Sequence, residues 1–440
     1  MAEIRPFCGI RYNQQSVKDL ASVICPPYDV VTPQLQETLY QRNDYNVIRL
    51  ECGQELPGDD AINNRYARAA ITLQQWLERD ILKADVTPAI YLHDHYFEFE
   101  GRRRRKRGII ACVRLEEWNK GVIRPHEETG VEAKVDRLNL LRACRANLST
   151  VYALYDDPEQ IIAAALASQE EQEPVIALTV DEGESHRVWA ITEPEIINRI
   201  ASNLAPQPLY IADGHHRYET ALAYQRERQA YSSSEASNFI MATLTDSSDP
   251  GNIIFPVHRL VRGIPDSTLE GLKDKLEAFF ELRSFPFDGS ELSPLIDNFL
   301  SQKEMQTLGL LGLEKGRLFL LRLRGEDAWR RLVLSYSSTT HRSLGVSILH
   351  HIVLEGLLGG DRQYWEREAR LAYSLDAIDA ARRVLTREYQ LLFLLSPLTV
   401  NTVKAVADSG EKLLDKSTYF YPKQPTGLVI NLLGGRGSAN

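Results

Sequence analysis

The stretch that is most informative about the fold is Leu209-Tyr210-Ile211-Ala212-Asp213-Gly214-His215-His216-Arg217-Tyr218-Glu219-Thr220-Ala221-Leu222. Its first four residues are apolar and predict a short buried strand. From Arg217 onward, apolar residues recur at helical spacing and predict an amphipathic helix. A strand that passes through a tight polar turn into a helix is a unit of proteins that mix sheets and helices.

The turn between this strand and this helix has the features of an anion site. Gly214 lets the backbone approach a ligand closely, and the first N–H groups of the helix point outward at the positive end of the helix dipole. Arg217 can add a bidentate contact, and His215 and His216 offer donors whose charge responds to pH near neutrality. Phosphate is the ligand that this combination favours.

Two other interpretations of the turn remain open. Asp213 can act simply as the cap of the helix, with the two histidines on the surface. Adjacent histidines also occur at zinc sites, but two neighbours at a helix start project in different directions, which disfavours one shared ion.

Outward from this stretch, strands and helices alternate along the chain. Apolar runs predict strands at residues 89–92, 108–114, 175–180, 239–243 and 309–313. Helical patterns lie at residues 63–79, 137–146, 193–204, 217–230 and 268–279. The alternation predicts an α+β (mixed α/β) fold.

A change in composition divides the chain in two. The segment Gly263-Ile264-Pro265-Asp266-Ser267 interrupts the pattern before a new helix. We therefore expect an N-terminal catalytic region at residues 1–265 and a C-terminal α+β domain at residues 266–440. The second region is predicted to hold strands at 317–323 and 331–335 and helices at 346–358 and 375–386.

Composition limits the classes of protein to which the chain can belong. It has 440 residues, of which 43% are hydrophobic and 25% charged, and a formal net charge of −9. These values are typical of a globular protein, and the negative charge disfavours nucleic acid and anionic membranes as partners. The five cysteines are isolated, and no signal peptide or membrane span of about 20 apolar residues is visible, so we expect a cytoplasmic protein.

The run from Arg102 to Arg107 is the one strongly basic segment. It lies between two predicted strands and is interpreted as a solvated hairpin turn. A nucleic-acid contact through this run is the alternative, and the overall charge argues against it.

A second cluster of polar residues, Arg124-Pro125-His126-Glu127-Glu128-Thr129, also precedes a predicted helix. If this turn comes near the phosphate site, Glu127 can accept the proton of a substrate hydroxyl as it attacks phosphorus. The same motif is equally compatible with a capped loop. Further along, Arg259 can help to neutralise a phosphate, whereas Pro26-Pro27-Tyr28-Asp29 is interpreted as a rigid structural turn.

The motifs Arg124-Pro125-His126-Glu127 and Asp213-Gly214-His215-His216-Arg217 together resemble those of archaeal ADP-dependent kinases that phosphorylate free L-serine. Those kinases belong to the ParB/sulfiredoxin superfamily, so the resemblance implies a ParB/sulfiredoxin-like core. It also implies that Glu127 is the general base and Asp213 a second essential acid. Sulfiredoxins have their catalytic cysteine where this chain has His215, so cysteine-based chemistry is not expected.

Over its whole length the sequence resembles the large bacterial and archaeal family DUF1015. The stretches that carry this resemblance are Ile24–Val30, Asn46–Leu50, Pro125–Arg137, the segment around Asp213, Phe255–Arg259 and Lys416–Lys423.

These observations predict a kinase that transfers a phosphoryl group from ADP, ATP or pyrophosphate to a small molecule with a hydroxyl group. The acceptor expected first is free L-serine. Asp213 is expected to orient the acceptor or hold Mg²⁺, and the C-terminal segment to fold back over the active site. The residues expected to bind substrate or phosphate are His126, Arg137, Gly214, His215, His216, Arg217, Arg259, Lys416 and Lys423. The alternative is a switch that binds a nucleotide and hydrolyses it slowly, without an acceptor.

Overall fold

The computed structural model describes residues 1–180, 183–228, 235–288, 291–302, 304–325 and 339–434. The chain forms two compact units. The first contains Met1–Pro125, Thr129–Ile253 and Phe420–Asn440, and the second contains His126–Glu128 and Ile254–Tyr419. The α+β fold class is confirmed. The division differs from the predicted boundary at residue 265, because the C-terminal segment belongs to the first unit.

The first unit is organised around a nine-stranded mixed sheet with the order β6-β11-β8-β12-β5-β4-β10-β9, and β1 pairs with β5. The strands of this sheet are β1 (Ile4–Arg5), β4 (Ile90–Phe99), β5 (Arg102–Arg114), β6 (Ile123–Arg124), β8 (Val151–Tyr155), β9 (Ile176–Thr179), β10 (Ser185–Ile191), β11 (Leu209–Asp213) and β12 (Phe239–Asp246). Two short pairs accompany it, β2 (Ile10–Tyr12) with β3 (Leu82–Ala84) and β7 (Ala146–Asn147) with β21 (Asn431–Leu432).

Helices cover both faces of this sheet. They are α1 (Pro33–Arg42), α2 (Ile48–Glu51), α3 (Arg65–Glu78), α4 (Val131–Cys144), α5 (Ile161–Ala167), α6 (Pro194–Leu204) and α7 (His215–Arg228). Alternate residues of the central strands belong to two separate apolar clusters: Tyr91 and Ile110 lie with α3 and α4, whereas Ile90 and Ile109 lie with α5, α6 and α7. Burial on both faces explains why these strands are nearly continuous apolar runs.

The second unit contains a six-stranded sheet with the order β15-β17-β16-β19-β14-β18. These strands are β14 (His258–Val261), β15 (Phe280–Pro286), β16 (Thr307–Leu311), β17 (Arg317–Leu323), β18 (Leu371–Ser374) and β19 (Leu391–Leu394). The helices are α8 (Asp266–Glu270), α9 (Leu272–Glu277), α10 (Leu292–Gln302), α11 (Thr339–Arg342), α12 (Gly345–Ile348), α13 (Arg362–Glu366), α14 (Ala377–Leu385) and α15 (Val400–Asp408), together with a π-helix at Leu349–Leu357. The short strands β13 (Ile253–Phe255) and β20 (Tyr419–Tyr421) complete the set of described strands.

Most elements lie where the sequence predicts them, with two differences. The predicted helix 268–279 is two short helices separated at Gly271, because glycine lowers helix propensity. The predicted helix 346–358 is mainly the π-helix. The strand predicted at 331–335 lies outside the described residues.

The interpretation of the basic run as a solvated turn is wrong. The hairpin turn consists of Glu100 and Gly101, both with positive φ, and strand β5 begins at Arg102. Because side chains alternate along a strand, the run has two different faces. Lys106 is buried, and Arg107 Nη2 forms an ion pair of 2.6 Å with Oδ2 of the buried Asp94.

Within the described residues, no helix combines the length and apolar character that crossing a bilayer requires.

Candidate active site

The strand, turn and helix predicted around Asp213 are present. Strand β11 ends at Asp213, Gly214 has φ of +89°, and helix α7 begins at His215. A Cβ atom at position 214 would lie 2.9 Å from Nε of Arg217. Glycine is therefore required twice, because L-residues disfavour this φ and because the guanidinium occupies the space of a side chain.

Arg217 folds back over the turn instead of extending from the helix. It is buried, and its Nη2 donates a hydrogen bond of 2.8 Å to Oδ2 of Asp213, while Nη1 donates to the carbonyl of Thr150. Nε has no hydrogen-bond partner among the described residues. Both terminal nitrogens thus stabilise the conformation of the turn. The role of Arg217 as a bidentate phosphate ligand stays a prediction.

Lys423 reaches the same turn from the C-terminal segment. Its Nζ lies 2.7 Å from Oδ1 of Asp213 and 3.1 Å from Oδ2 of Asp29. All three residues belong to the first unit. The structure therefore brings together Asp213 and Lys423, and adds Asp29, which the sequence placed in a structural turn.

These cations determine the charge of Asp213. Burial by itself would raise the pKa of the carboxyl group, but Lys423 and Arg217 outweigh burial and hold the pKa below its ordinary value. Asp213 is consequently an ionised carboxylate at neutral pH. Such a group is a poor proton acceptor and a good ligand for cations and hydrogen-bond donors.

The two histidines of the turn have different environments. His216 Nε2 accepts a hydrogen bond of 2.9 Å from the backbone N–H of Gly130, which places the proton of a neutral ring on Nδ1. His215 is buried beside Asp213 and helps to keep that carboxyl ionised. His216 thus connects the start of α7 to the start of α4.

Arg137 lies beside the Pro26–Asp29 segment. It is buried, its guanidinium carbon lies 4.1 Å from the ring centroid of Tyr28, and its Nη1 donates a hydrogen bond of 2.9 Å to the carbonyl of Glu51. Burial raises the pKa of the Tyr28 phenol, an effect that Arg217 and Arg137 partly offset. Tyr28 is therefore a neutral hydroxyl that lies within the electrostatic influence of both arginines.

Lys106 is a feature of the site that the sequence analysis missed. Its ammonium group donates a hydrogen bond to the carbonyl of Pro422 and lies 4.8 Å from the ring centroid of Tyr152. Burial lowers its pKa to about 7, and the charges of Asp249 and Asp213 act in the opposite direction. The alternation of side chains along a strand was the signal that could have separated Lys106 from its exposed basic neighbours.

The other predicted residues belong to the second unit. Glu127 Oε1 accepts a hydrogen bond of 2.8 Å from the backbone N–H of Ser417, and His126 Nε2 lies 2.9 Å from Oγ1 of Thr418. The segment is further held by a backbone hydrogen bond of 2.8 Å from Glu128 to Leu413.

Arg259 is buried in this second unit and donates a hydrogen bond of 3.0 Å to the carbonyl of Lys416. Burial lowers the pKa of Arg259, while Tyr373 and Glu127 act in the opposite direction. The Lys416 ammonium lies 4.8 Å from the ring centroid of Tyr373. Glu127 and Asp213 thus lie in different units, and their cooperation in one reaction stays a prediction.

Comparison with solved structures found several distant similarities. A conserved hypothetical protein from Pyrococcus furiosus is 13% identical with a TM-score of 0.34, and the match covers 74% of this chain and 95% of that one. A free serine kinase in complex with AMP is 13% identical with a TM-score of 0.37, over 74% of this chain and 92% of that one. SbnI with a C-terminal truncation, from Staphylococcus aureus, is 9% identical with a TM-score of 0.35, over 73% and 87%. At these scores the names describe those proteins alone.

A search of curated proteins found no match. The model of one protein family, described as a protein of unknown function, matches residues 4–347. Since this match spans more than half of the sequence, the chain belongs to the DUF1015 family.

Proposed function

We propose that the protein is a small-molecule kinase that transfers a phosphoryl group from ADP, ATP or pyrophosphate to a hydroxyl acceptor, with free L-serine as the preferred acceptor and O-phosphoserine as the product. The observation that carries the proposal is the ionised Asp213, held between Lys423 and Arg217 at the N-terminus of α7. The motif resemblance to serine kinases supports the choice of acceptor.

The donor phosphates bind at the start of α7. The first N–H groups of a helix have no carbonyl partner within the helix and carry a partial positive charge. Lys423 adds a full positive charge to the same turn, and its Nζ can exchange a carboxylate for a phosphate oxygen. Positioning and neutralisation of charge are the main contributions of a protein to phosphoryl transfer.

Asp213 and Asp29 fit a magnesium ion. Both offer carboxylate oxygens, the ligands that Mg²⁺ prefers, and both already contact one cation, the ammonium of Lys423. Bound there, Mg²⁺ would neutralise charge on the donor phosphates. This role also agrees with the depressed pKa of Asp213, which makes that carboxylate unsuited to accept a proton.

Glu127 takes the proton of the acceptor. The acceptor oxygen forms a bond to phosphorus, the bond between phosphorus and the leaving phosphate oxygen breaks, and the hydroxyl proton passes to the Glu127 carboxylate. The hydrogen bond from Ser417 N–H holds one oxygen of this carboxylate in place. Removal of the proton makes the oxygen a better nucleophile.

The test combines the full-length protein and Mg²⁺ with ADP, ATP or pyrophosphate and one acceptor at a time. L-serine and L-alanine form a matched pair because they differ by the hydroxyl group. Consumption of donor that requires L-serine and yields O-phosphoserine by mass spectrometry supports the proposal. Equal consumption with L-alanine or without acceptor rejects a kinase and favours the nucleotide-hydrolysing switch.

A further inference from the structure

Three histidines form a row on the face of the large sheet that packs against α3 and α4. His93 and His95 are two residues apart on β4 and so point to the same face. His186 on β10 is paired directly with His95 across the two antiparallel strands. All three side chains are buried, which is an unusual position for three groups of this polarity.

The contacts within this cluster join it to one carboxylate. His95 Nε2 lies 3.2 Å from Oε2 of Glu184, and the rings of His95 and His186 lie 4.1 Å apart between centroids. His93 Nε2 lies 3.0 Å from Nδ1 of His186. One nitrogen or oxygen atom from each of His95, Glu184 and His186 lies within 4.8 Å of the other two.

Hydrogen bonds inside the protein do not satisfy this cluster. Nδ1 of His95 is buried and has no hydrogen-bond partner among the described residues. A buried polar atom without a partner destabilises the fold and calls for an explanation such as a bound ion. Burial lowers the pKa of His93, His95 and His186, and the neutral imidazole is the form of histidine that binds metals.

We propose that His95, His186 and Glu184 bind one divalent transition-metal ion of the zinc class. Two imidazoles and one carboxylate are a ligand set that suits zinc and leaves a fourth position open. His93 is a positioning residue: when its Nε2 accepts a hydrogen bond from Nδ1–H of His186, Nε2 of His186 carries no proton and can bind the ion. Tetrahedral zinc needs ligand atoms about 3.3 Å apart. The side chain of Glu184 is partly exposed, so its carboxylate can move toward the imidazoles to reach this spacing.

Lys106 is a basic residue next to the cluster. It lies on β5, which pairs with β4 on the side opposite β10, and it is the direct cross-strand partner of His95. Its ammonium donates a hydrogen bond to the carbonyl of Pro422 in the C-terminal segment.

A second group of His350, His351 and Glu355 has a similar composition but different contacts. Glu355 there lies 3.1 Å from Nε2 of His350 and 2.9 Å from Nδ1 of His351. One carboxylate thus pairs with both imidazoles. This group serves as an internal control for the proposed site.

The test is a titration of the metal-free full-length protein with Co²⁺, followed by visible absorption and by competition with Zn²⁺. We expect one Co²⁺ per chain with the intense visible bands of a low-coordinate site. Glu184→Gln and His186→Gln should weaken binding at least ~10-fold. The matched controls are Glu195→Gln, an exposed carboxylate on α6, and His351→Gln, and both should bind like the unchanged protein.

The proposal is overturned if the unchanged protein shows no saturable Co²⁺ binding. It is also overturned if Glu184→Gln and His186→Gln bind Co²⁺ as tightly as the unchanged protein. Binding that is lost with His351→Gln and kept with Glu184→Gln assigns the ion to the other group and overturns it equally. Thermal unfolding guards against a folding defect, because Zn²⁺ should raise the melting temperature of the unchanged protein and not that of Glu184→Gln. No phosphoryl donor is present, so these results do not depend on the proposed kinase activity.

Discussion

Replacing Gly214 with alanine tests the geometry of the turn on which the proposed donor site depends. The backbone at this position has φ of +89°, and the new Cβ would lie 2.9 Å from Nε of Arg217. The left-handed conformation costs an L-residue about 1–2 kcal/mol. The close contact adds about 1–3 kcal/mol, because the guanidinium is buried and held by Asp213 and Thr150 and cannot move away cheaply. We therefore expect a loss of about 2–5 kcal/mol in the free energy of unfolding.

Gly58 provides a matched control for this substitution. Its φ is +94°, and nothing lies within 4 Å of a Cβ built there. Gly58→Ala should consequently lose only the conformational part, about 1–2 kcal/mol. The difference between the two variants isolates the contact with Arg217.

Urea unfolding followed by tryptophan fluorescence measures both variants. Trp118 stacks on Tyr218 of helix α7 with ring centroids 4.6 Å apart, so its emission reports on the helix that follows the turn. Equal destabilisation by Gly214→Ala and Gly58→Ala would refute the account of a guanidinium folded against the turn. A loss of donor affinity in Gly214→Ala alone would connect the same geometry to binding.

Four further outcomes are expected. Lys423→Met should weaken binding of the donor phosphates at least ~10-fold by removing a full positive charge, as calorimetry can measure, whereas Lys83→Met, on an exposed position of β3, should not. Glu127→Gln should keep donor binding and lower turnover at least ~100-fold in a donor-consumption assay, the scale of a lost general base. The pKa of Asp213 is depressed in the folded protein, so the carboxylate contributes its full stabilisation above pH about 4 and loses it as the pH falls through the folded-state pKa. The excess of the free energy of unfolding over that of Asp213→Asn should therefore shrink in acid unfolding curves. The pKa of Lys106 is lowered to about 7, so as the pH rises the folded state loses this proton before the unfolded state does. The free energy of unfolding relative to that of Lys106→Met should therefore rise between pH about 7 and about 10.

Each expectation has a contrary result. Equal donor affinity of Lys423→Met and Lys83→Met would remove Lys423 from the donor site. Parallel losses of binding and turnover in Glu127→Gln would make that residue a binding group instead of a base. A difference from Asp213→Asn that does not change with acid would show that the carboxyl pKa is not depressed. Likewise, a flat difference from Lys106→Met across neutral and alkaline pH would show that Lys106 titrates normally.

The local elements around the turn could be predicted from the sequence because their causes are local. The run of four apolar residues, the single glycine and the following helical pattern indicated a strand up to residue 212 and a helix from residue 217, and the structure has Leu209–Asp213 and His215–Arg228. The helix predicted at 63–79 is Arg65–Glu78 for the same reason. Periodicity is a property of neighbouring residues, so one sequence contains it.

The partners within the site could not be predicted in this way. Lys423 and Asp213 are separated by 210 positions along the chain, and no local pattern pairs them. The basic run was misjudged for a related reason, since a run of like charges gives no indication of which face of a strand is buried. Lys106 is buried against Pro422 of the C-terminal segment and the ring of Tyr152, both far from it in the sequence.

By itself, the sequence determined the mixed fold class, the glycine turn and the types of residue that could bind a phosphate. The tertiary structure alone decided that Lys423 and Asp29 share an ion pair network with Asp213, that Arg217 supports the turn from within, and that His95 and His186 lie side by side. The physical reason is that strand register and the path of the C-terminal segment depend on packing over the whole first unit. Such packing brings distant residues into contact, and the charges and pKa values of the site follow from those contacts.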